Sequence, residues 1–76
     1  MEAYVLVQTE VGAAADVSNE LGAFEGVLSA EAITGPYDVI ARVQSENVDA
    51  VGKLVVSRIH LVAGVTRTLT CPIVRL

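Results

Sequence analysis

The sequence has few cysteines and few basic residues, and each shortage excludes a class of protein. A single cysteine, Cys71, forms no internal disulfide and is typical of a reducing compartment. Five Lys and Arg residues stand against nine Asp and Glu, which gives a net charge of −4. The basic residues are scattered singly along the chain. Because nucleic-acid binding needs clustered positive charge, we expect no direct contact of this chain with DNA.

Long apolar runs and phosphate-binding loops are also missing. The longest apolar run, residues 3–7, is far shorter than the ~18 residues that cross a bilayer. No basic and apolar signal segment follows Met1. The six glycines are isolated, which excludes the common Gly-rich nucleotide-binding motifs. We therefore expect a cytoplasmic protein with no membrane contact and no cofactor.

Apolar residues with branched side chains are abundant for so short a chain. The 76 residues predict one domain, spanning 1–76, and 53% of them are hydrophobic, with fourteen valines. A domain of this size buries only about 60% of the surface that its unfolded chain exposes. A single core in a domain of this size therefore cannot bury all of the apolar residues.

The apolar spacing predicts six elements in the order βαββαβ. Strands are predicted at residues 3–9, 27–34, 38–44 and from 65 to about 75. Helices are predicted at residues 13–24, stopped by Gly26, and after an Asn47 cap as far as the stop at Gly64. The second helix carries an apolar stripe made of Val48, Val51, Val55, Ile59 and Val62.

This order predicts an α+β, ferredoxin-like fold. Its four-stranded antiparallel sheet has the first and third strands in the centre and both helices on one face. Pro72, late in the last strand, suits an edge position.

The face without helices should be polar, yet the central strands are apolar on both sides. In the first strand Tyr4 and Leu6 alternate with Val5 and Val7. Strands buried on two sides need a second cover, which predicts a homodimer with sheets packed face to face as a dimeric α+β barrel. The alternative is a monomer with an exposed apolar patch.

Two groups of residues are candidates for a binding site. The first is the turn Thr34, Gly35, Pro36, Tyr37 and Asp38, where a carboxylate and open backbone N–H groups could receive the two charged ends of an amino acid. The alternative is a plain turn in which Asp38 bonds its own backbone.

The second group is Thr66, Thr68 and Thr70, three hydroxyls spaced two residues apart in the last strand. The ordinary explanation is the solvent face of an edge strand, and the alternative is that they line a small polar site. His60 and Cys71 are each solitary, so no metal site and no catalytic pair is predicted.

The same residues carry a resemblance to a known family. Residues 27–43 with their TGPYDVIARV core, the segment VVSRI at 55–59 and the stretch GVTRTLTCPIV at 64–74 resemble the effector-sensing domain of the leucine-responsive/asparagine-synthetase-activator (Lrp/AsnC) regulators. The resemblance implies an amino-acid-binding (RAM) domain in transcriptional regulation of amino acid metabolism. It implies dimers joined into rings, often octamers, with the effector between dimers near residues 35–38.

Carried onto this chain, the resemblance makes Asp38 the polar anchor and Gly35 and Tyr37 shapers of the pocket. Thr68 and Thr70 match the family's terminal pattern. The family's helix-turn-helix has no counterpart here, so we expect a stand-alone sensing domain that acts alone or mixes with full-length Lrp/AsnC regulators. The alternatives are a small dimeric enzyme and a ligand-free assembly adaptor. The enzyme is disfavoured because few titratable residues lie on the strands.

Overall fold

The computed structural model describes residues 1–76 as one antiparallel sheet with helices on one side. The elements are β1 (Glu2–Thr9), α1 (Ala14–Gly22), β2 (Val27–Ala32), β3 (Val39–Gln44), α2 (Val48–Ser57), a 3₁₀ turn (Ile59–Leu61) and β4 (Val65–Pro72). The sheet order is β2-β3-β1-β4. The predicted βαββαβ ferredoxin-like fold is therefore confirmed, with β1 and β3 central and β2 and β4 at the edges. None of the helices is long and apolar enough to span a membrane.

The core lies between the sheet and the helices. Alternate residues of β1 and β3 face it, and Val5 lies directly opposite Ala41 in the register. The helices contribute Val17, Leu21 and Val51 to the same cluster. All 12 buried residues are apolar and belong to this one cluster. The strand residues reach it because every second side chain of a strand lies on the same face of the sheet.

The opposite face of the sheet has no helix over it. Leu6 lies between Ile40 of β3 and Leu69 of β4, and Tyr4 is in the same row of β1. Leu69 is 46% exposed and Tyr4 is 36% exposed, while Leu6 and Ile40 are half-buried. We call this surface, defined by Tyr4, Leu6, Ile40 and Leu69, the open face.

One ion pair lies at the margin of the open face. Arg42 Nε donates to Glu2 Oε1 at 2.6 Å, and its guanidinium lies 5.6 Å from the centre of the Tyr4 ring. The hydrogen bond and the charge of Glu2 raise the pKa of Arg42. The pair offsets the charge of Arg42 beside the apolar side chains of this face.

Both helices end earlier than predicted. In α1 the chain tightens after Gly22, where Phe24 N–H donates to Leu21 O, so Gly26 belongs to the turn that enters β2. After Ser57 the backbone leaves the α-helix at Arg58 and forms the 3₁₀ turn. With three residues per turn, the 3₁₀ turn brings Ile59 and the following Val62 to the same side, so both stay in the core.

The start of α2 agrees with the sequence in its cap and disagrees in its first apolar residue. Asn47 Oδ1 accepts the Ala50 N–H at 2.8 Å, which confirms the predicted N-cap. Val48 is 57% exposed, so its place in the buried stripe was wrong. As the first helical residue it follows the polar residues 45–47 and has no apolar segment before it to pack against.

The two ends of β1 have different neighbours. At its beginning, Ser45 N–H donates to Met1 O, and Ile73 N–H donates to Glu2 O. At its far end, Asp38 N–H donates to Val7 O, and Glu10 N–H donates to Gly64 O. The chain termini therefore share one end of the sheet, and the β2–β3 turn lies at the other.

Candidate functional site

The turn between β2 and β3 is closed by one backbone hydrogen bond. Ile33 N–H donates to Asp38 O at 2.9 Å, which leaves residues 34–37 as a four-residue loop at the end of the sheet. Thr34, Gly35 and Pro36 are exposed, and Tyr37 is half-buried. We call residues 34–38 the hairpin loop.

Asp38 is held by three hydrogen bonds to the neighbouring strands and segments. Its N–H donates to Val7 O, its carbonyl accepts from Ile33, and its Oδ2 accepts the Thr9 N–H at 2.8 Å. The side chain thus bonds to the end of β1. The plain-turn alternative expected it to bond the backbone of its own turn instead. Oδ1 accepts no hydrogen bond from the chain, and no unpartnered side-chain oxygen is buried, so this oxygen of the carboxylate is accessible to solvent.

The backbone of the hairpin loop presents unused donors. The N–H groups of Thr34, Gly35 and Tyr37 donate to no acceptor in the chain. Gly35 has φ +148°, a backbone conformation that residues with a Cβ rarely adopt. Gln8 Nε2 donates to Pro36 O at 2.9 Å and fixes the loop to β1. The loop can therefore offer N–H donors to an anion and the Asp38 carboxylate to a cation.

Thr68 and Thr70 lie apart from the hairpin loop within one chain. They pair with Val7 and Val5, two core residues, so their side chains lie on the helix-covered face of the sheet. The ordinary explanation placed these threonines on the solvent face of the sheet, which is the opposite face. Thr68 and Val39 lie on either side of β1, so at ~4.8 Å between neighbouring strands the two residues are about 10 Å apart. Thr66 lies at a bulge and does not share their register.

His60 has a partner that the sequence did not indicate. Its Nε2 lies 2.7 Å from Thr68 Oγ1, at a cleft lined by Val65, Thr66 and Arg67. Cys71 pairs with Tyr4 on the open face, whereas Thr68 lies on the other face, so His60 and Cys71 make no pair. No three His, Cys, Asp or Glu side chains come together as a metal-binding group.

Sequence reasoning missed Gln8, Thr9, His60 and Arg67 as residues of these two regions. Gln8 and Thr9 were part of a strand pattern, and their contacts with the hairpin loop span 28 and 29 residues of sequence. The only available signal was their position at the end of a central strand, where loops from neighbouring strands meet.

Comparison with known proteins identifies the family. The model of the Lrp/AsnC ligand binding domain matches residues 2–75. The chain belongs to this family. This family is a ligand-binding domain of transcription regulators and is not an enzyme family.

Individual relatives agree with this assignment. An uncharacterized HTH-type transcriptional regulator of Pyrococcus furiosus, PF0250, is 27% identical over 55 residues, which cover 72% of this chain and 37% of that protein. The match thus spans little more than a third of the curated relative. TTHA0845 of Thermus thermophilus superposes with a TM-score of 0.90 at 27% identity, covering 99% of this chain and 94% of that one.

A second structure supports the fold alone, because its sequence is more distant. The transcriptional regulator NMB0573 of Neisseria meningitidis, solved as a complex with L-Met, has a TM-score of 0.85 at 20% identity. The likeness covers 97% of this chain and 49% of that chain.

Proposed function

We propose that this Lrp/AsnC domain binds a free amino acid at the hairpin loop and that binding is linked to the assembly of several copies. The observation that carries the proposal is the combination of three unused N–H donors with the outward Oδ1 of Asp38. A free amino acid offers an α-carboxylate to the donors and an ammonium group to Asp38. The L-Met complex of the distant regulator NMB0573 supports this class of ligand.

The fixed position of Asp38 favours binding over a merely flexible turn. Because Thr9 N–H already holds Oδ2, the carboxylate needs no ordering when a ligand arrives. Gln8 restrains the loop in the same way through Pro36. Preorganised groups lose little conformational entropy on binding, which raises affinity.

The assembly part of the proposal rests on the open face. Tyr4, Leu6, Ile40 and Leu69 form an apolar row with no cover in the chain, and the same face of a second copy would bury it. The hairpin loop lies at the end of the sheet, where it is free to contact a neighbouring dimer. A ligand held between dimers would stabilise the larger assembly, up to the octamer that the family resemblance implies.

The physiological role that follows is effector sensing in the cytoplasm. The chain would act on transcription by mixing with DNA-binding Lrp/AsnC regulators, because its own net charge of −4 opposes contact with DNA. PF0250, an HTH-type regulator, supports a link with transcription.

The test is light scattering after size-exclusion chromatography, with and without a panel of the twenty amino acids. We expect at least one amino acid to increase the assembled mass of the wild-type protein. The substitution Asp38→Asn keeps an oxygen for Thr9 N–H but removes the charge, so the protein should fold and lose the response. Asp49→Asn on the exposed side of α2 is the matched control and should respond as the wild type does.

Two outcomes would contradict the proposal. If Asp38→Asn responds like the wild type, the ligand binds elsewhere. If no amino acid changes the mass or the thermal stability while the chain copurifies with a DNA-binding relative, the ligand-free adaptor is correct.

A further inference from the structure

Two charged side chains lie at opposite edges of the open face. In the register of the sheet, Arg67 of β4 pairs with Gln8, and Glu31 of β2 pairs with Ile40. Both therefore lie on the side of the sheet that carries Leu6 and Ile40, because side chains two residues apart in a strand share a face. Both are exposed. The apolar row of the open face thus has a basic residue near one edge and an acidic residue at the other.

Neither of these charges is neutralised within the chain. The one ion pair of the structure involves other residues. Asp38 is the acidic group at the same end of the sheet as Arg67, but its carboxylate is held by Thr9 N–H and lies two strands away. Glu31 is three strand spacings from Arg67, which is about 14 Å and too far for an ion pair within one chain. Arg67 and Glu31 are therefore left to pair with another molecule.

The two charges distinguish the two ways in which the open face can pack on its own copy. Sheets packed face to face are related by a two-fold axis that lies between them, either across the strands or along them. An axis across the strands, centred on the apolar row, lays β2 on β2 and brings Glu31 against Glu31 of the second copy.

An axis along the strands lays β4 on β2 of the second copy. Arg67 and Glu31 of the second copy are then offset by two residues, about 7 Å along the strands, across a gap of about 10 Å between the sheets. Two long side chains that extend into the gap can span this separation. Only this second arrangement brings the opposite charges together.

We propose that Arg67 of each copy pairs with Glu31 of the other, and that the two pairs determine the orientation and the choice of partner in the open-face dimer. The inference rests on the face-to-face dimer of the proposed function and names the residues that select it. Charges at the rim of an interface fix its register and reject partners that present like charges. A related chain that carries a base opposite Arg67, or an acid opposite Glu31, would be excluded from the dimer.

The test is charge reversal in the full chain, followed by light scattering for the dimer dissociation constant and by native mass spectrometry for the choice of partner. Arg67→Glu and Glu31→Arg each bring like charges together twice in a dimer, so each alone should weaken the dimer at least about tenfold. A mixture of the two variants restores both pairs, so the mixed dimer should form in preference to either self-dimer. A chain that carries both substitutions should dimerise with itself as the wild type does.

Lys53→Glu on α2 and Glu20→Arg on α1 are the matched controls, because they change the net charge equally at exposed helix positions. A mixture of these two should show no preference for the mixed dimer. If Leu69→Glu dissociates the wild-type dimer while both reversals leave it unchanged, the open-face dimer is correct and the pairing of Arg67 with Glu31 is refuted. A monomeric wild-type protein would refute the dimer and the pairing together.

Discussion

Replacement of Gly64 by alanine tests the tightest contact that a glycine of this fold makes with another element. Gly64 has φ +94°, and a Cβ built there would lie 2.9 Å from Ala13 Cβ and 3.3 Å from Val17 Cγ2. Positive φ costs an L-residue about 1–2 kcal/mol, and overpacking a core costs about 1–3 kcal/mol. Because Ala13 Cβ has no rotamer by which to move away, the start of α1 must shift. We expect Gly64→Ala to lower the free energy of unfolding by about 2–5 kcal/mol.

The assay is urea denaturation followed by circular dichroism at several protein concentrations, since assembly would contribute to the stability. Gly52→Ala is the control within the same chain. Gly52 lies in α2 with no atom within 4 Å of an added Cβ, so alanine should stabilise the protein by about 0.5–1 kcal/mol. Equal stability of Gly64→Ala and the wild type would refute the close approach, and destabilisation by Gly52→Ala would refute the exposure of that helix face.

Two further substitutions test the open face and the 3₁₀ turn. Leu69→Glu should dissociate the proposed face-to-face dimer in light scattering, whereas Leu61→Glu, at a site 77% exposed off the sheet, should leave the mass unchanged; dissociation by both would point to a general loss of stability. Ile59→Ala should lower the free energy of unfolding by about 2–5 kcal/mol in urea, while Val48→Ala should cost far less because Val48 is exposed. If the two substitutions lower the free energy of unfolding by similar amounts, Val48 is buried as the predicted continuous helix stripe requires.

The topology was predictable because local patterns were consistent with one another. The alternation of Val5 and Val7 with Leu6 identified a strand and its two faces, and Asn47 identified the start of α2. The end of α2 was not predictable from the same pattern. Val51, Val55, Ile59 and Val62 fit one helical stripe by spacing, and a 3₁₀ turn preserves the same burial by a different backbone path.

The contacts of the two candidate sites depend on the register of the sheet. Asp38 was singled out correctly as a residue of the turn, but its bond to Thr9 joins residues 29 apart in sequence. The pairing of His60 with Thr68 depends on where the 3₁₀ turn ends and on a bulge between β1 and β4. Neither the turn nor the bulge has a distinctive residue pattern, so the sequence predicted the polar residues without their partners.

The common location of the two chain termini affects how the protein can be handled. Both lie at the start of β1, and the hairpin loop lies beyond its far end, eight residues away along the strand. At ~3.3 Å per residue the separation is about 25 Å. An affinity tag or a sensor surface attached at either terminus therefore leaves the hairpin loop facing solution, so immobilised protein can be screened for effectors without blocking that loop.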